Sequence, residues 1–194
     1  KNHIYSKSME HDACGVGLVA STEGKKSRKI VEYGIEALKA VWHRGAVDAD
    51  GKTGDGAGIH IEIPYDFFKE KIETKGHKHD NSPICVGMIF LPRDNFNDQE
   101  ECKTIVEKEL TNSNFKIYGW RQVPINTKVL GDKANNNRPE ITQILFKNND
   151  NNLIDKYLEI KLYEIRRKIE KEVIKKKLED FYICSLSSKS IIYK

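Results

Sequence analysis

Apolar and polar positions fall into short blocks along this chain. Residues 1–12 are polar and show no clear period. CGVGLVA at 14–20 is a short apolar run, which predicts a buried strand carrying two glycines. After a turn at STEGKKS, Ile30, Val31, Ile35, Leu38 and Val41 or Trp42 recur at helical spacing, predicting a helix from Arg28 to Trp42 that Gly45 ends. A glycine-rich loop, GAVDADGKTGDGAG, covers 45–58. IHIEI at 59–63 alternates strictly and predicts a half-buried strand stopped by Pro64. A short helix follows around Asp66 to Glu73, then a continuous apolar strand from Ile84 to Leu91.

In the second half, Asp98 is expected to open a helix of about 14 residues with Glu101 in the capping-box position. Residues 115–123 and Ile141 to Lys147 read as strands separated by Asn-rich loops at 135–137 and 148–152. Leu158, Leu162, Ile165, Ile169 and Val173 mark one stripe of a long amphipathic helix over 153–179. FYICSLS and SIIYK close the chain as two strands, and their proximity suggests antiparallel pairing. There is no internal repeat and no transition to a second domain. Many short strands, hairpin-like neighbours and interspersed helices predict an α+β sandwich.

Composition narrows the function classes. With 194 residues and 38% apolar positions, the chain can build one core. No apolar run approaches the roughly 20 residues of a spanning helix, and no secretory signal is visible, so a membrane role is not expected. Net charge is +4, and the surplus lies in residues 156–179. That helix face reads as solvated surface, with an RNA or membrane contact as the alternative. Cys85, Cys102 and Cys184 sit in apolar patterns and are expected to be buried, reduced thiols, which fits a cytoplasmic setting. No CxxC spacing or His cluster suggests a metal site.

Three features could carry chemistry. Cys14 begins its segment and is followed by Gly15 and Gly17, which leave room for a substrate to approach. A free thiol has a pKa of about 8.5 and needs a base. His11 is one candidate. The other arises if the chain is cut between Ala13 and Cys14, because an α-amine of pKa about 7.7–8.0 would then sit on the nucleophile itself. Arg44, at a helix end before a flexible loop, could grip a carboxylate through its fork or act simply as a C-terminal helix cation. TGDGAG at 53–58 fits neither a Walker loop nor a dinucleotide fingerprint, and its bland reading is that Asp50 and Asp55 cap turns where glycines take positive φ.

The combination of ACGVGLVA with WHRGAVDADGKTGDGAGIHIEIP resembles the start of glutamate synthase large subunits. The resemblance continues through VGMIFLP, YGWRQVP, RRKIEK and FYICSLSS, covering nearly the whole chain. A related amidotransferase of purine synthesis shares a Cys-Gly start and an HRG but lacks the continuation from Ala49 to Ile59. The resemblance implies a class II glutamine amidotransferase domain at 14–194 with a four-layer αββα sandwich of the N-terminal-nucleophile hydrolase type, incomplete at the C-terminus. It implies that residues 1–13 are a propeptide, that Cys14 is the nucleophile, and that Arg44 and Gly45 of the HRG motif line the glutamine site. No cofactor is expected in this segment, and FMN and an iron–sulfur cluster are expected elsewhere in the full-length subunit. The implied partners are glutamine, the rest of the large subunit, and a small NAD(P)H-oxidising subunit or ferredoxin as electron source. The first residue is Lys1, so the chain reads as a fragment. The family's Asn-Gly oxyanion hole is expected past Lys194, which would leave this piece by itself a poor catalyst. A catalytically inactive remnant is the alternative expectation.

Overall fold

A computed structural model of the chain describes residues 15–80, 82–150, 152–153 and 155–194, apart from the Arg44 side chain. The backbone falls into two compact units, Lys1–Ala57 and Gly58–Lys194.

In the first unit, helix α1 (Arg28–Ala40) starts where the Ser27 hydroxyl accepts the Ile30 N–H. Its expected apolar face is present but shallow. Ile30, Val31, Ile35 and Leu38 are half-buried, and none of the described residues 15–57 is fully buried. The helix ends at Ala40, and the chain tightens into one 3-10 turn at Trp42–Arg44. The strand expected at 14–20 is absent from its described part. Residues 15–20 form no ladder, and Val16 and Leu18 are 94% and 92% exposed. Apolar character gave the strand signal, but a strand also needs a neighbour to hydrogen-bond, and two glycines weaken its intrinsic preference.

The second unit is a layered α+β sandwich. Its elements are β1 (Ile59–Glu62), α2 (Tyr65–Thr74), β2 (Ile84–Leu91), α3 (Phe96–Asn112), β3 (Phe115–Gln122), α4 (Asp132–Asn137), β4 (Glu140–Asn148), α5 (Asp155–Lys175), β5 (Tyr182–Ser187) and β6 (Ser190–Tyr193). One sheet has the order β3-β4-β2-β5, the other pairs β1 with β6, and every ladder is antiparallel. Strand β2 is central and buried on both faces, which explains its unbroken apolar run.

Cys85, Ile89 and Leu91 of β2 pack with α3 and α5, while Ile84, Val86 and Met88 pack on the other face with α2 and β6. Helix α5 presents the predicted stripe: Leu158, Leu162, Ile165, Ile169 and Val173 are all buried. Each such side chain contributes about 1.5–3 kcal/mol of burial. Several cations of the basic face of α5 are paired with nearby carboxylates. Arg166 and Arg167 both reach Glu170, Lys161 reaches Glu164 and Lys175 reaches Glu172, while Lys176 reaches across to Glu101 of α3.

Three local expectations change. The last two strands do not form a hairpin, since β5 joins β2 and β6 joins β1. The crossing between sheets is fixed by Glu159 of α5, which accepts from the Ser187 and Ser188 hydroxyls and the Ser188 N–H at 2.6–2.8 Å. The Ser187 hydroxyl in turn accepts the Lys189 and Ser190 N–H groups. This side-chain clamp has no periodic signature. Helix α3 begins earlier than expected, because Asn95 caps it by accepting the Asp98 N–H and donating to the Asp98 carboxylate. Glu101 is therefore past the cap. Finally, the Asn-rich stretch at 135–137 belongs to the short helix α4.

The three described cysteines are buried, as their apolar contexts predict. Burial pushes the Cys102 and Cys184 thiols up to about 11 and pushes Cys85 higher still, so none is a nucleophile at neutral pH. His79, between α2 and β2, donates from Nε2 to the Ser82 carbonyl and accepts the Tyr118 hydroxyl at Nδ1. Desolvation lowers its pKa, so it is neutral at pH 7.

Candidate active site

Of the three residues singled out by sequence, Cys14 lies outside the described residues. Arg44 and Gly45 are described along their backbone. Arg44 is the last residue of the 3-10 turn that follows α1, and the Gly45 N–H closes that turn by donating to the Trp42 carbonyl at 2.9 Å. A Cβ on Gly45 would stand 3.3 Å from the same carbonyl oxygen, tighter than ordinary packing. The turn thus favours the smallest residue immediately after Arg44. His43 donates from Nδ1 to the Ala40 carbonyl at 3.2 Å, tying the turn to the helix end.

Beyond Gly45 the chain doubles back as a small hairpin. Val47 and Gly54 form an antiparallel bridge, and the Asp48 N–H donates to the Thr53 carbonyl at 2.7 Å. At the tip, Asp50 accepts the Lys52 and Thr53 N–H groups at 2.9 and 2.7 Å and the Thr53 hydroxyl at 2.5 Å. Gly51 turns there at φ +69°. At the base, Asp55 accepts the Ala46 N–H at 2.7 Å, and Gly56 redirects the chain at φ +93° toward β1. The turn-capping reading of Asp50 therefore holds. Asp55 does more than cap its own turn, because it reaches a residue nine positions earlier. Its sequence signal, an Asp before Gly, could not show that reach.

Among the described residues, no group of three or more His, Cys, Asp or Glu side chains is placed to hold a metal ion. Cys85, Cys102 and Cys184 are packed among core side chains, a donor set that does not fit an iron–sulfur cluster. No helix among the described residues is long and apolar enough to cross a membrane.

Residues 14–194 match the family described as class II glutamine amidotransferases. The chain belongs to that family. The amidotransferase match starts at Cys14 and includes both the HRG turn and the glycine hairpin. The chain is 56% identical over 192 residues to the glutamate synthase [NADPH] large chain of Azospirillum brasilense, covering 99% of this chain and 13% of that one. It is 40% identical over 195 residues to the ferredoxin-dependent glutamate synthase of Pyropia yezoensis, covering 98% of this chain and 12% of that one. It is 41% identical over 191 residues to the ferredoxin-dependent glutamate synthase of Cyanidium caldarium, covering 96% and 12%. The amidotransferase chain thus spans about one eighth of the length of the curated relatives it matches. The helices and two antiparallel sheets of the second unit agree with the α+β sandwich expected for this family.

Proposed function

We propose that this chain is the glutaminase segment of a glutamate synthase large chain, releasing ammonia from glutamine for the reductive synthesis of glutamate from 2-oxoglutarate. The observation that carries the reading is the family match over 14–194, which starts at Cys14, joined to 56% identity with a glutamate synthase large chain.

In this reading residues 1–13 are removed and Cys14 becomes the first residue. Its α-amine takes the thiol proton, since an amine of pKa about 7.7–8.0 is a competent base near neutral pH. The thiolate sulfur attacks the side-chain amide carbon of glutamine and forms a C–S bond. The α-ammonium returns the proton to the amide nitrogen, the C–N bond breaks and ammonia leaves. Water, deprotonated by the same amine, cleaves the thioester to glutamate and regenerates the thiol. The sum is glutamine plus water giving glutamate plus ammonia. Arg44 holds the glutamine α-carboxylate through its guanidinium fork, and Gly45 keeps the turn beside it tight.

In this reading FMN and the iron–sulfur cluster belong to other parts of the large chain; for the cluster, the described cysteines are core residues and offer no ligand set. The higher identity to an NADPH-type relative (56%) than to the two ferredoxin-dependent ones (40% and 41%) supports a small NAD(P)H-oxidising subunit as the electron source. The reading places the work in the cytoplasm.

The test is nitrogen tracing with the full-length protein and glutamine carrying ¹⁵N in its amide. Label is expected in free ammonia when 2-oxoglutarate is omitted, and in the amino group of new glutamate when 2-oxoglutarate and reductant are added. Label remaining wholly in glutamine would overturn the reading.

A further inference from the structure

We propose that the cavity at one end of the four-stranded sheet binds a free basic amino acid, holding its α-carboxylate and α-ammonium on one wall and its side-chain cation on the other.

The cavity encloses about 600 Å³, within the range of about 300–1,000 Å³ usual for small-molecule sites. Its lining belongs wholly to the second unit and shares no residue with the HRG turn or the glycine hairpin. The sheet sets its layout. Strands β4, β2 and β5 lie side by side, and their antiparallel ladders bring the start of β4, the end of β2 and the start of β5 to the same end. The floor is aromatic. Phe90 of β2 and Tyr182 of β5 are ladder partners with ring centroids 6.0 Å apart, and Phe181 adjoins them. The two walls rise from the β4 and β5 sides, two strand spacings or about 10 Å apart.

These walls carry opposite charge to spare. On the β4 side, Arg138 spends Nε on the Asn135 side chain at 3.0 Å, while its two Nη groups have no partner among the described residues. Asp94 stands on the same side. Arg93 fixes it with bonds of 2.9 and 3.3 Å, and is itself anchored on the Asn135 and Asn136 carbonyls. The Arg93 hydrogen bond first, and then the charges of Arg93 and Arg138, hold the Asp94 carboxyl below the usual carboxylate range. A guanidinium with free N–H groups beside a fixed carboxylate matches the α-carboxylate and α-ammonium of an amino acid.

Across the floor, the Glu179 and Asp180 carboxylates line the cavity and make no hydrogen bond or ion pair among the described residues. Asp98 is already engaged, accepting from the Asn95 side chain at 2.7 Å. No three acidic groups among the described residues are placed to hold a metal ion, so the Glu179–Asp180 wall suits an organic cation. A lysine or arginine side chain spans the gap. Its methylenes lie over the aromatic floor while its charged end reaches the carboxylates. A neutral side chain would leave that wall uncompensated, which selects for the basic class.

The test is calorimetric titration of the full-length protein with L-lysine and L-arginine, where a Kd of about 1 mM or tighter is expected. Norleucine lacks the side-chain cation and Nα-acetyl-lysine lacks the α-ammonium, so each should bind about tenfold more weakly or worse. Glu179→Gln combined with Asp180→Asn removes the charge of one wall, and asparagine tolerates the left-handed φ of +59° at position 180. That double variant should weaken lysine about tenfold and leave norleucine unchanged, whereas Arg138→Gln should weaken both alike. Thermal midpoints should stay at the wild-type value, because neither change removes core packing. Absence of lysine and arginine binding, norleucine binding as tight as lysine, or binding that persists unchanged in both variants would each overturn the proposal. So would weakening that appears only together with a lowered thermal midpoint. The glutaminase reading stands or falls separately, on the nitrogen tracing.

Discussion

Replacing Cys14 with alanine is expected to abolish glutamine hydrolysis, a loss of about 10⁴-fold or more in kcat, and with it all glutamine-dependent glutamate formation. The reason is stoichiometric rather than geometric. The proposed mechanism routes both the amide cleavage and the thioester through one sulfur, and the other three cysteines cannot substitute. All three are buried in the second unit, and burial raises their thiol pKa values. Ammonia-dependent synthesis should survive in the same variant, because it bypasses the thiol. The alanine variant could also fail to lose residues 1–13, which would block the site for a different reason. A Cys14→Ala version with residues 1–13 deleted from the gene removes that ambiguity and should be equally inactive with glutamine. Glutamine hydrolysis by either variant at more than about one hundredth of the wild-type rate would reject Cys14 as the nucleophile.

Arg44→Ala is expected to raise KM for glutamine by about 100- to 1000-fold, the equivalent of losing a bidentate pair of charge-assisted hydrogen bonds. The effect should fall on KM more than on kcat, since in the proposed reading the α-carboxylate is held alike before and during amide cleavage. Arg44→Lys should recover only part of the loss. An ammonium keeps the charge but cannot present two parallel N–H groups. Steady-state kinetics of glutamine hydrolysis separates the two parameters. An unchanged KM in Arg44→Ala would return the residue to its plainer reading, a cation at a helix end.

The parts of the fold that were legible in sequence are those whose burial is set by period alone. The stripe from Leu158 to Val173 and the run from Ile84 to Leu91 announce a one-faced helix and a two-faced strand, and both stand as expected. Long-range pairing was not legible. FYICSLS and SIIYK look like a hairpin, yet the serine clamp on Glu159 sends them into different sheets. CGVGLVA looks like a buried strand, yet its described residues have no ladder and expose Val16 and Leu18. The asymmetry is physical. A helix satisfies its own backbone, while a strand depends on a neighbour the local sequence does not name.

The candidate site divides in the same way. Chemistry singles out Cys14 in the sequence, because a thiol at a small-residue segment would carry its own α-amine as base if the chain were cut between Ala13 and Cys14. The HRG turn was visible as a helix end before glycines, and the structure adds why Gly45 follows: its N–H closes the turn and a Cβ would crowd the Trp42 carbonyl. Asp55 was read only as a turn cap. Its reach back to Ala46 exists because the whole hairpin closes, and no spacing rule carries that information.

The central claim is that Cys14 acts as a processed, N-terminal nucleophile, and peptide mass mapping tests it most directly. The full-length protein is incubated at about pH 8, near the α-amine pKa, with a diazoketone analogue of glutamine and then digested. The account predicts one equivalent of adduct, on Cys14, in a peptide that begins at Cys14 with a free α-amine. Cys102 and Cys184, with thiols pushed up to about 11, would be ionised in about one molecule per thousand at that pH and should remain unmodified, as should the more deeply suppressed Cys85. An active protein that retains residues 1–13, or an adduct on any residue other than Cys14, would contradict it.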